Sequence, residues 1–398
     1  MLMKPHIVEF YFHSPLSATV AMKKMNCLQT ILTRSEQFAN LLLCKYSASF
    51  TSPHIPVMKS EIIEHTQPKA GQVYLDMTFG SGGHANEILK YASNNLICYF
   101  LDRDPTSLSY MQQLQAAYTS SNHKMIPLIG RFSDLPQLLN KFGLTHSSVD
   151  LILMDLGVSS PQLDSESRGF GFKHNAPLDM RMNQSQCVQK DSPTAAEVVN
   201  TLKAEDLSKI FSTYGEERHA NRIANAIVDY RNDVGAIRST KQLADLIRSV
   251  VSVGNRAVSR SIHPATRVFQ ALRIFVNDEL NELCVGLQLS ESLLKPGGHL
   301  AVLSFHSLED RLVKYLFKCD GKHSTLSKYL PYQSLKSEIN SKELRYEDDL
   351  YLGRSESSSS LKNKLKWSSV IGPLTPSTSE VESNPRSRSA KLRIARKA

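Results

Sequence analysis

The stretch from Tyr74 to Leu89 reads YLDMTFGSGGHANEIL, and it decides the fold class. A short apolar run ends at Asp76, and glycines come after it at positions 80, 82 and 83. Apolar residues then recur at helical spacing, so the pattern predicts a buried strand, a glycine-rich turn and a helix. In an open α/β sheet such a turn lies at the carboxyl end of a parallel strand, where ligands bind.

The segment after this turn indicates which ligand it binds. A second predicted strand, Ile97 to Asp102, ends in an acid, and a carboxylate about twenty residues after a glycine turn suits ribose hydroxyl groups. The glycines match G-x-G-G rather than G-x-G-x-x-G, which disfavours a dinucleotide. The two features together favour S-adenosylmethionine over NAD. The alternative is a tight turn and a solvated acid in another kind of α/β protein.

Strands and helices alternate through the first half of the chain, which predicts right-handed βαβ units. A helix is expected over residues 106–118, a third strand over Met125 to Ile129 and a fourth over Val149 to Asp155. From residue 161 to 261 no buried strand is evident. Amphipathic helices are expected there instead, at Ala204–Tyr214, Ala220–Arg231 and Thr240–Val250.

After this helical region the pattern returns to the sheet. One long helix is expected from Ala265 to about Leu294, then a turn over residues 295–298 and a fifth strand from His299 to Phe305. Ser307 is expected to cap the next helix. Residues 320–370 are predicted to form a flexible loop, and residues 388–397 a last strand at the edge of the sheet.

The pattern predicts an α/β fold with an inserted all-helical domain, and the family resemblance described below implies that the sheet is that of a Rossmann-like S-adenosylmethionine-dependent methyltransferase. The expected boundaries are 1–50 for an extension, 51–163 for the first part of the methyltransferase domain, 164–262 for the helical insert that recognises substrate, and 263–398 for the second part.

The composition indicates neither a membrane segment nor a cysteine-based site. No apolar run approaches the roughly 18 residues that span a bilayer, so no membrane partner is expected. Six scattered cysteines without a C-x-x-C motif predict neither a disulfide framework nor a structural zinc, and we expect no metal.

The net charge of +9 lies at the two ends of the chain. Residues 1–50 hold five Lys/Arg and two Glu, and residues 384–398 hold six Lys/Arg and no acid, so the ends contribute +3 and +6. The basic tail favours RNA as a partner, with a solubilising tail as the alternative. The basic, acid-poor first 50 residues are typical of a mitochondrial presequence, and a disordered cytosolic extension is the alternative.

The fourth predicted strand leads into Asp155-Leu-Gly-Val-Ser159-Ser160-Pro161-Gln162. An acid followed by glycine and Ser-Ser-Pro is where methyltransferases that act on exocyclic amines place their catalytic loop. Such an amine, for example N4 of cytosine, is a weak nucleophile that needs acceptors for its N–H groups. Asp155, Ser159 and Ser160 are the catalytic candidates. Asp155 could instead cap the turn or bind the amino group of the cofactor.

Two further stretches are candidates for substrate contact. Arg168-Gly-Phe170-Gly-Phe172 precedes Arg181, and its aromatic rings could stack on an extruded base while the arginines grip phosphate. The alternative is that the aromatic residues only anchor a loop in the core. His306 comes directly after the fifth predicted strand and could touch substrate or cofactor, or serve the structure alone.

Several long motifs of this chain resemble the RsmH (MraW) family of small-subunit ribosomal RNA cytosine-N4 methyltransferases. The matching stretches are His54–Val57, Asp76–His84, Asp155–Leu163, Arg168–Met182, Gly215–Arg218, His263–Leu280, Ser304–Arg311 and Asn384–Arg393. The resemblance implies N4-methylation of a cytosine in the decoding region of the rRNA. It also implies contacts to S-adenosyl-L-methionine, and the implied residues are Gly82, Gly83, His84, Asp102, Phe132, Asp155 and Gln162.

With its basic N-terminus the chain looks like the mitochondrial member of this family, which implies the mitochondrial matrix. The implied partners are small-subunit rRNA or the assembling subunit, together with assembly factors, while the oligomeric state stays open. The competing hypothesis is a non-catalytic ribosome-assembly or RNA-binding factor that retains the cofactor fold.

Overall fold

The computed structural model describes residues 50–183, 192–252, 263–318 and 366–398, and a seven-stranded sheet forms its centre. The strands are β1 (Val73–Asp76), β2 (Ile97–Asp102), β3 (Lys124–Ile129), β4 (Val149–Asp155), β5 (Leu294–Ser304), β6 (Trp367–Leu374) and β7 (Lys391–Lys397). Their order is β3-β2-β1-β4-β5-β7-β6. Strands β1 to β5 are parallel, and β7 runs antiparallel to both β5 and β6.

The strand order reverses between β1 and β4. The chain moves outward from β1 to β3 on one side of this point and from β4 to β5 on the other. The loops that leave β1 and β4 therefore diverge, and a crevice opens at the carboxyl ends of these strands. The predicted α/β fold class is confirmed.

Helices cover the sheet and extend beyond it. They are α1 (Lys59–Thr66), α2 (Gly83–Ala92), α3 (Ser107–Ala117), α4 (Leu135–Asn140), α5 (Ser160–Asp164), α6 (Ala195–Thr201), α7 (Ala204–Gly215), α8 (Ala220–Asp233), α9 (Thr240–Ser252), α10 (Thr266–Asn277), α11 (Glu279–Leu293), α12 (Ser307–Lys318) and α13 (Thr378–Ser383). No helix among the described residues has both the length and the apolar character needed to cross a membrane.

The core arises from the apolar runs of the sequence. Residues 151–154 in the middle of β4 are at most 3% exposed, because a central parallel strand is covered on both faces. Helices α7 and α10 pack closely where Gly215 meets the backbone of Arg267, since a Cβ on this glycine would lie 2.5 Å from the carbonyl oxygen. The helices expected from residue 204 to 250 are confirmed within about two residues, while the boundaries of an inserted domain stay a prediction.

Two expectations for the middle of the second half are wrong in detail. The helix predicted from Ala265 to Leu294 is broken at Asp278, whose φ of 55° ends α10 and starts α11 in a new direction. The turn predicted over residues 295–298 is an irregular part of β5, whose pairing with β4 shifts register there.

The edge of the sheet also differs from the prediction. Strand β7 lies between β5 and β6, so β6 is the edge strand and residues 367–370 belong to it rather than to a loop. Residues 320–365 of the predicted loop and the first 49 residues lie outside the described part of the chain.

The start of α12 is capped differently from the prediction. Ser307 is its first helical residue, and the carboxylate of Glu309 accepts the backbone N–H groups of Phe305 and His306. The cap is therefore an acid in the first turn rather than the predicted serine hydroxyl group.

Candidate active site

A cavity of about 660 Å³ opens at the carboxyl ends of β1, β2 and β4. Its floor is formed by the turns after β1, β3 and β4, and one wall by the first two turns of α11. Residues 52–57 and 384–386 line its mouth. This volume is within the range of pockets that enclose a cofactor-sized molecule.

The glycine turn shapes the floor through its backbone. Gly80 has φ +57° and Gly82 has φ +78°, values that residues with a Cβ rarely adopt. The N–H of Gly80 donates to Oδ2 of Asp102 at 2.6 Å, which fixes the turn against the end of β2. Gly83 lines the cavity, and a Cβ there would lie 3.3 Å from Oγ of Ser52. Gly82 is buried as the N-cap residue of α2.

Two carboxylates beneath this turn are difficult to ionise. Burial raises the pKa of Asp76 to about 6, although Oδ2 accepts from the Tyr74 hydroxyl group and Oδ1 from the N–H of Thr78. Burial also raises the pKa of Asp102 to about 6. Asp102 lines the cavity, where the sequence predicts a contact to ribose.

Asp155 and His84 face each other across the floor. Asp155 ends β4, His84 lies in the first turn of α2, and His84 Nε2 is 3.5 Å from Asp155 Oδ2. Within the described residues, Asp155 Oδ1 is buried and has no hydrogen-bond partner, and the same holds for His84 Nε2. The side chain of Asp155 as a whole is 30% exposed and lines the cavity, so its carboxylate can be reached by a hydrogen-bond donor of a bound molecule.

The loop after β4 is held from below by Gln162. Its Oε1 accepts the N–H of Ser159 at 2.9 Å, and its Nε2 donates to Asp104 Oδ2 at 2.8 Å. Ser159, Ser160 and Gln162 all line the cavity. Both ends of the Gln162 amide are used within the protein, which makes it a support of the loop.

Phe132 lies on the turn after β3 and lines the cavity. Its ring fits against α11 at Gly286, where a Cβ would stand 2.8 Å from Phe132 Cδ2. Glu282 of α11 holds the same turn, because its carboxylate accepts from both the N–H and the hydroxyl group of Ser133. Helix α11 therefore sets the position of the predicted cofactor contact.

The predicted substrate residues do not lie in the cavity. Arg168 is buried, with Nη1 2.8 Å from Asp104 and Nη2 donating to the carbonyl oxygens of Arg181 and Met182. Arg181 forms a bidentate pair with Asp179. The expected phosphate grip has no support in these positions, because both guanidinium groups hold the loop together.

Phe170, Phe172 and His306 do not line the cavity either. Phe170 is 8% exposed within the core, and Phe172 packs against Phe269 with ring centroids 4.8 Å apart. These positions match the alternative of loop anchoring. His306 is largely buried with Nε2 3.0 Å from Glu309 Oε1, while its neighbours Phe305 and Glu309 reach the cavity. The predicted direct contact of His306 is not supported.

Sequence reasoning missed a charged group at the wall of the cavity. Arg273 of α10 donates through Nε and Nη2 to the two carboxylate oxygens of Glu279, both at 2.8 Å. Glu279, His306 and Glu309 bring ligand-type atoms within 4.8 Å of one another. The Arg273 guanidinium already occupies both oxygens of Glu279, so this cluster is organised around an organic cation. The only signal in the sequence was an Arg and a Glu six residues apart, across an unrecognised break in the helix.

The mouth of the cavity joins three separate segments. Arg386 and His54 both approach the carboxylate of Asp164 at the end of α5, His54 Nε2 at 3.6 Å. The side chain of Asn384 donates to the carbonyl oxygen of Ile55 at 3.1 Å. Ile55 itself is 57% exposed beside the opening. The segments at the two ends of the described chain therefore form the rim together.

Comparisons with known proteins identify the family. A model of the MraW methylase family matches residues 51–347. A human protein named 12S rRNA N(4)-cytidine methyltransferase METTL15 is 42% identical over 348 residues, which are 86% of this chain and 82% of the relative.

Proteins from two further organisms are also similar to this chain. A Drosophila melanogaster protein named probable methyltransferase-like protein 15 homolog is 39% identical and covers 87% of this chain and 92% of its own length. A Parvibaculum lavamentivorans protein named ribosomal RNA small subunit methyltransferase H is 44% identical over 281 residues, 70% of this chain and 78% of the relative.

Proposed function

Because the chain belongs to the MraW methylase family, we propose that it transfers a methyl group from S-adenosylmethionine to N4 of a cytosine in small-subunit ribosomal RNA. The names of its relatives support this reaction, since they specify N(4)-cytidine of 12S rRNA and the ribosomal small subunit.

The single observation that carries the proposal is the state of Asp155. The Asp155 carboxylate ends β4 and lines the cavity, its side chain is 30% exposed, and Oδ1 has no hydrogen-bond partner among the described residues. A carboxylate oxygen in this position matches an N–H donor of a substrate. The exocyclic amine of cytosine is such a donor.

The cavity also fits S-adenosylmethionine. Gly80 and Gly83 have no side chain over the floor of the cavity, so a ligand can approach the backbone there. Asp102 is positioned for the ribose hydroxyl groups. Phe132 offers a flat apolar face for the adenine. His84 would hold the methionine end, and Gln162 would keep the loop after β4 in place. When bound, the cofactor supplies an electrophilic methyl group on its sulfonium.

The residues of the chain then have to orient the amine and exclude water. The N4 lone pair is delocalised into the ring, so the amine attacks only when its N–H groups are held by acceptors and the lone pair is aimed at the methyl carbon. The Asp155 carboxylate would accept one N–H, and backbone carbonyl oxygens of the loop after β4 would accept the other. Methyl transfer releases one proton from N4, and the Asp155 carboxylate would receive it.

The proposed location is the mitochondrial matrix, with 12S rRNA as the substrate. The basic, acid-poor first 50 residues and the name of the human relative support this location. Ribosome-assembly factors are proposed as further partners, because the names of the relatives place the substrate in the ribosomal small subunit.

The test uses the full chain, labelled S-adenosylmethionine and small ribosomal subunits from cells that lack this protein. Digestion of the rRNA to nucleosides is expected to give label in N4-methylcytidine. Cofactor binding without label in any nucleoside would refute the proposal and favour the non-catalytic assembly factor. Label in a different nucleoside would show that the methylated base is not the proposed cytosine.

A further inference from the structure

The geometry points to Arg273 as the residue that recognises the target base: we propose that its Nη1 donates a hydrogen bond to the ring N3 of the cytosine that Asp155 holds by N4. The inference rests on the proposed function, and it assigns specificity to a residue outside the glycine turn and the loop after β4.

Two hydrogen bonds fix the side chain of Arg273. Nε and Nη2 both point at Glu279, each 2.8 Å from a carboxylate oxygen, so the planar guanidinium cannot rotate. The side chain is 17% exposed and lines the cavity. Nη1 has no hydrogen-bond partner in the part of the chain that the structure describes. A rigid cation therefore presents its remaining donor nitrogen to the cavity.

The break between α10 and α11 creates this arrangement. In a straight helix, residues six apart are roughly 120° apart around the axis and about 9 Å apart along it, so they do not meet. Asp278 adopts φ 55° and redirects the chain, which brings Glu279 back over Arg273. The kink thus serves to hold the guanidinium beside the cavity.

Arg273 also lies next to the loop that carries Asp155. Gly157 has φ +94°, and a Cβ on it would stand 3.8 Å from Nη1 of Arg273. Gly157 is two residues after Asp155 in the same loop. Arg273 therefore lies beside the loop that starts at Asp155, and both residues line the cavity.

The acids around Arg273 favour a neutral ligand atom over an anionic one. The charge of Arg273 is already balanced by Glu279, and Glu282 and Glu309 also line this wall. A phosphate or a carboxylate would meet three acids here, which disfavours it. A neutral acceptor such as a ring nitrogen has no such penalty.

The pair of protein groups matches one edge of cytosine. Cytosine presents a donor at N4 next to an acceptor at N3, and Asp155 with Arg273 offers an acceptor next to a donor. Uracil presents the reverse order, so each of its groups would face a like group. Enzymes that act on an extruded base read this edge of the base in the same way.

The test is a double-mutant cycle that changes Arg273 in the protein and N3 in the base. Arg273→Lys keeps the positive charge but replaces the fork with a single ammonium that pairs with Glu279, so that no nitrogen remains at the position of Nη1. The substrates are synthetic RNAs that span the nucleotide methylated by the wild type, with either cytidine or 3-deazacytidine, which has C–H in place of N3. Methyl transfer is measured in single turnover, and RNA dissociation constants are measured with S-adenosylhomocysteine bound.

We expect Arg273→Lys to reduce transfer and RNA affinity together by roughly 10- to 100-fold with cytidine, the range for one hydrogen bond from a charged donor. With 3-deazacytidine the same substitution should cost less than about threefold, because the acceptor is already absent. The affinity for S-adenosylmethionine should stay within about twofold. The matched control is Arg393→Lys, since Arg393 is buried against Asp310 through the same type of bidentate pair but lies outside the cavity. It should leave the transfer rate unchanged.

Three results would overturn the role of Arg273 while the reaction stands. Wild-type rates for Arg273→Lys would show that the base is not contacted. Equal losses with both RNAs would indicate a backbone contact, and a loss confined to S-adenosylmethionine affinity would move Arg273 to the cofactor site. If the wild type forms no N4-methylcytidine on unmethylated subunits, the proposed function itself is refuted. The wild-type assay alone shows this, so the two failures are distinguishable.

Discussion

Replacement of Asp76 by Asn is expected to stabilise the protein at neutral pH. Asp76 is 2% exposed, and burial raises its pKa from 3.8 to about 6. Since each pKa unit corresponds to about 1.4 kcal/mol, the ionised carboxylate reduces the free energy of unfolding by about 3 kcal/mol well above pH 6. Asn keeps the shape and the two hydrogen bonds, because its amide can accept from Thr78 and donate to the Tyr74 oxygen.

The sign of the pH dependence is opposite to that of a salt-bridged acid. The folded state holds its proton up to a higher pH than the unfolded state, so the wild type loses this stability as pH rises from about 4 to about 6. The gain in Asp76→Asn should be about 3 kcal/mol at pH 7.5, about half of that at pH 5, and absent below pH 4. Urea unfolding followed by circular dichroism at these pH values measures it.

Glu309→Gln is the matched control with the opposite sign. Glu309 is also 2% exposed, and burial opposes its ionisation, but His306 and Arg273 outweigh burial and lower its pKa. Glu309→Gln should therefore lose stability, and the loss should develop as pH rises from the lowered pKa to the usual value of 4.5 and stay constant above it. A wild-type unfolding free energy for Asp76→Asn at pH 7.5, or the same sign of effect in both variants, would refute the electrostatic reasoning.

The remaining predictions concern the reaction, the wall and the rim. Asp155→Ala should lower the methyl-transfer rate by about 10²- to 10⁴-fold while the dissociation constant for S-adenosylmethionine, measured by calorimetry, changes little; a wild-type rate would exclude its role. Gly286→Ala should displace the Phe132 ring, lower the unfolding free energy by about 1–3 kcal/mol and weaken cofactor binding. The control Gly171→Ala, where a Cβ meets nothing within 4 Å, should leave both stability and cofactor binding unchanged. Arg386→Ala should change thermal stability by less than about 1 kcal/mol, because Arg386 and Asp164 are 44% and 50% exposed; a larger loss would mean that the rim supports the fold.

The cofactor half of the site could be predicted because its residues are close in sequence. A strand, a glycine turn and a helix between Tyr74 and Leu89 leave a local pattern, and so does the acid that ends β2. The strands β2 and β4 were predicted with their observed bounds, since buried parallel strands read as continuous apolar runs. Patterns of this kind need no knowledge of the tertiary structure.

The substrate half could not be predicted in the same way, because its determinants are single backbone angles and long-range pairs. Leu272, Val276 and Leu280 keep helical spacing across Asp278, so an apolar pattern continues through a break that one left-handed residue introduces. That break decides whether Arg273 faces a glutamate or solvent. The phosphate roles of Arg168 and Arg181 stay a prediction: Asp104 and Asp179 hold these two guanidinium groups, and the sequence alone does not show such partners. Arg273 is held by Glu279 across the break at Asp278 and lines the cavity, and its Nη1 has no hydrogen-bond partner among the described residues.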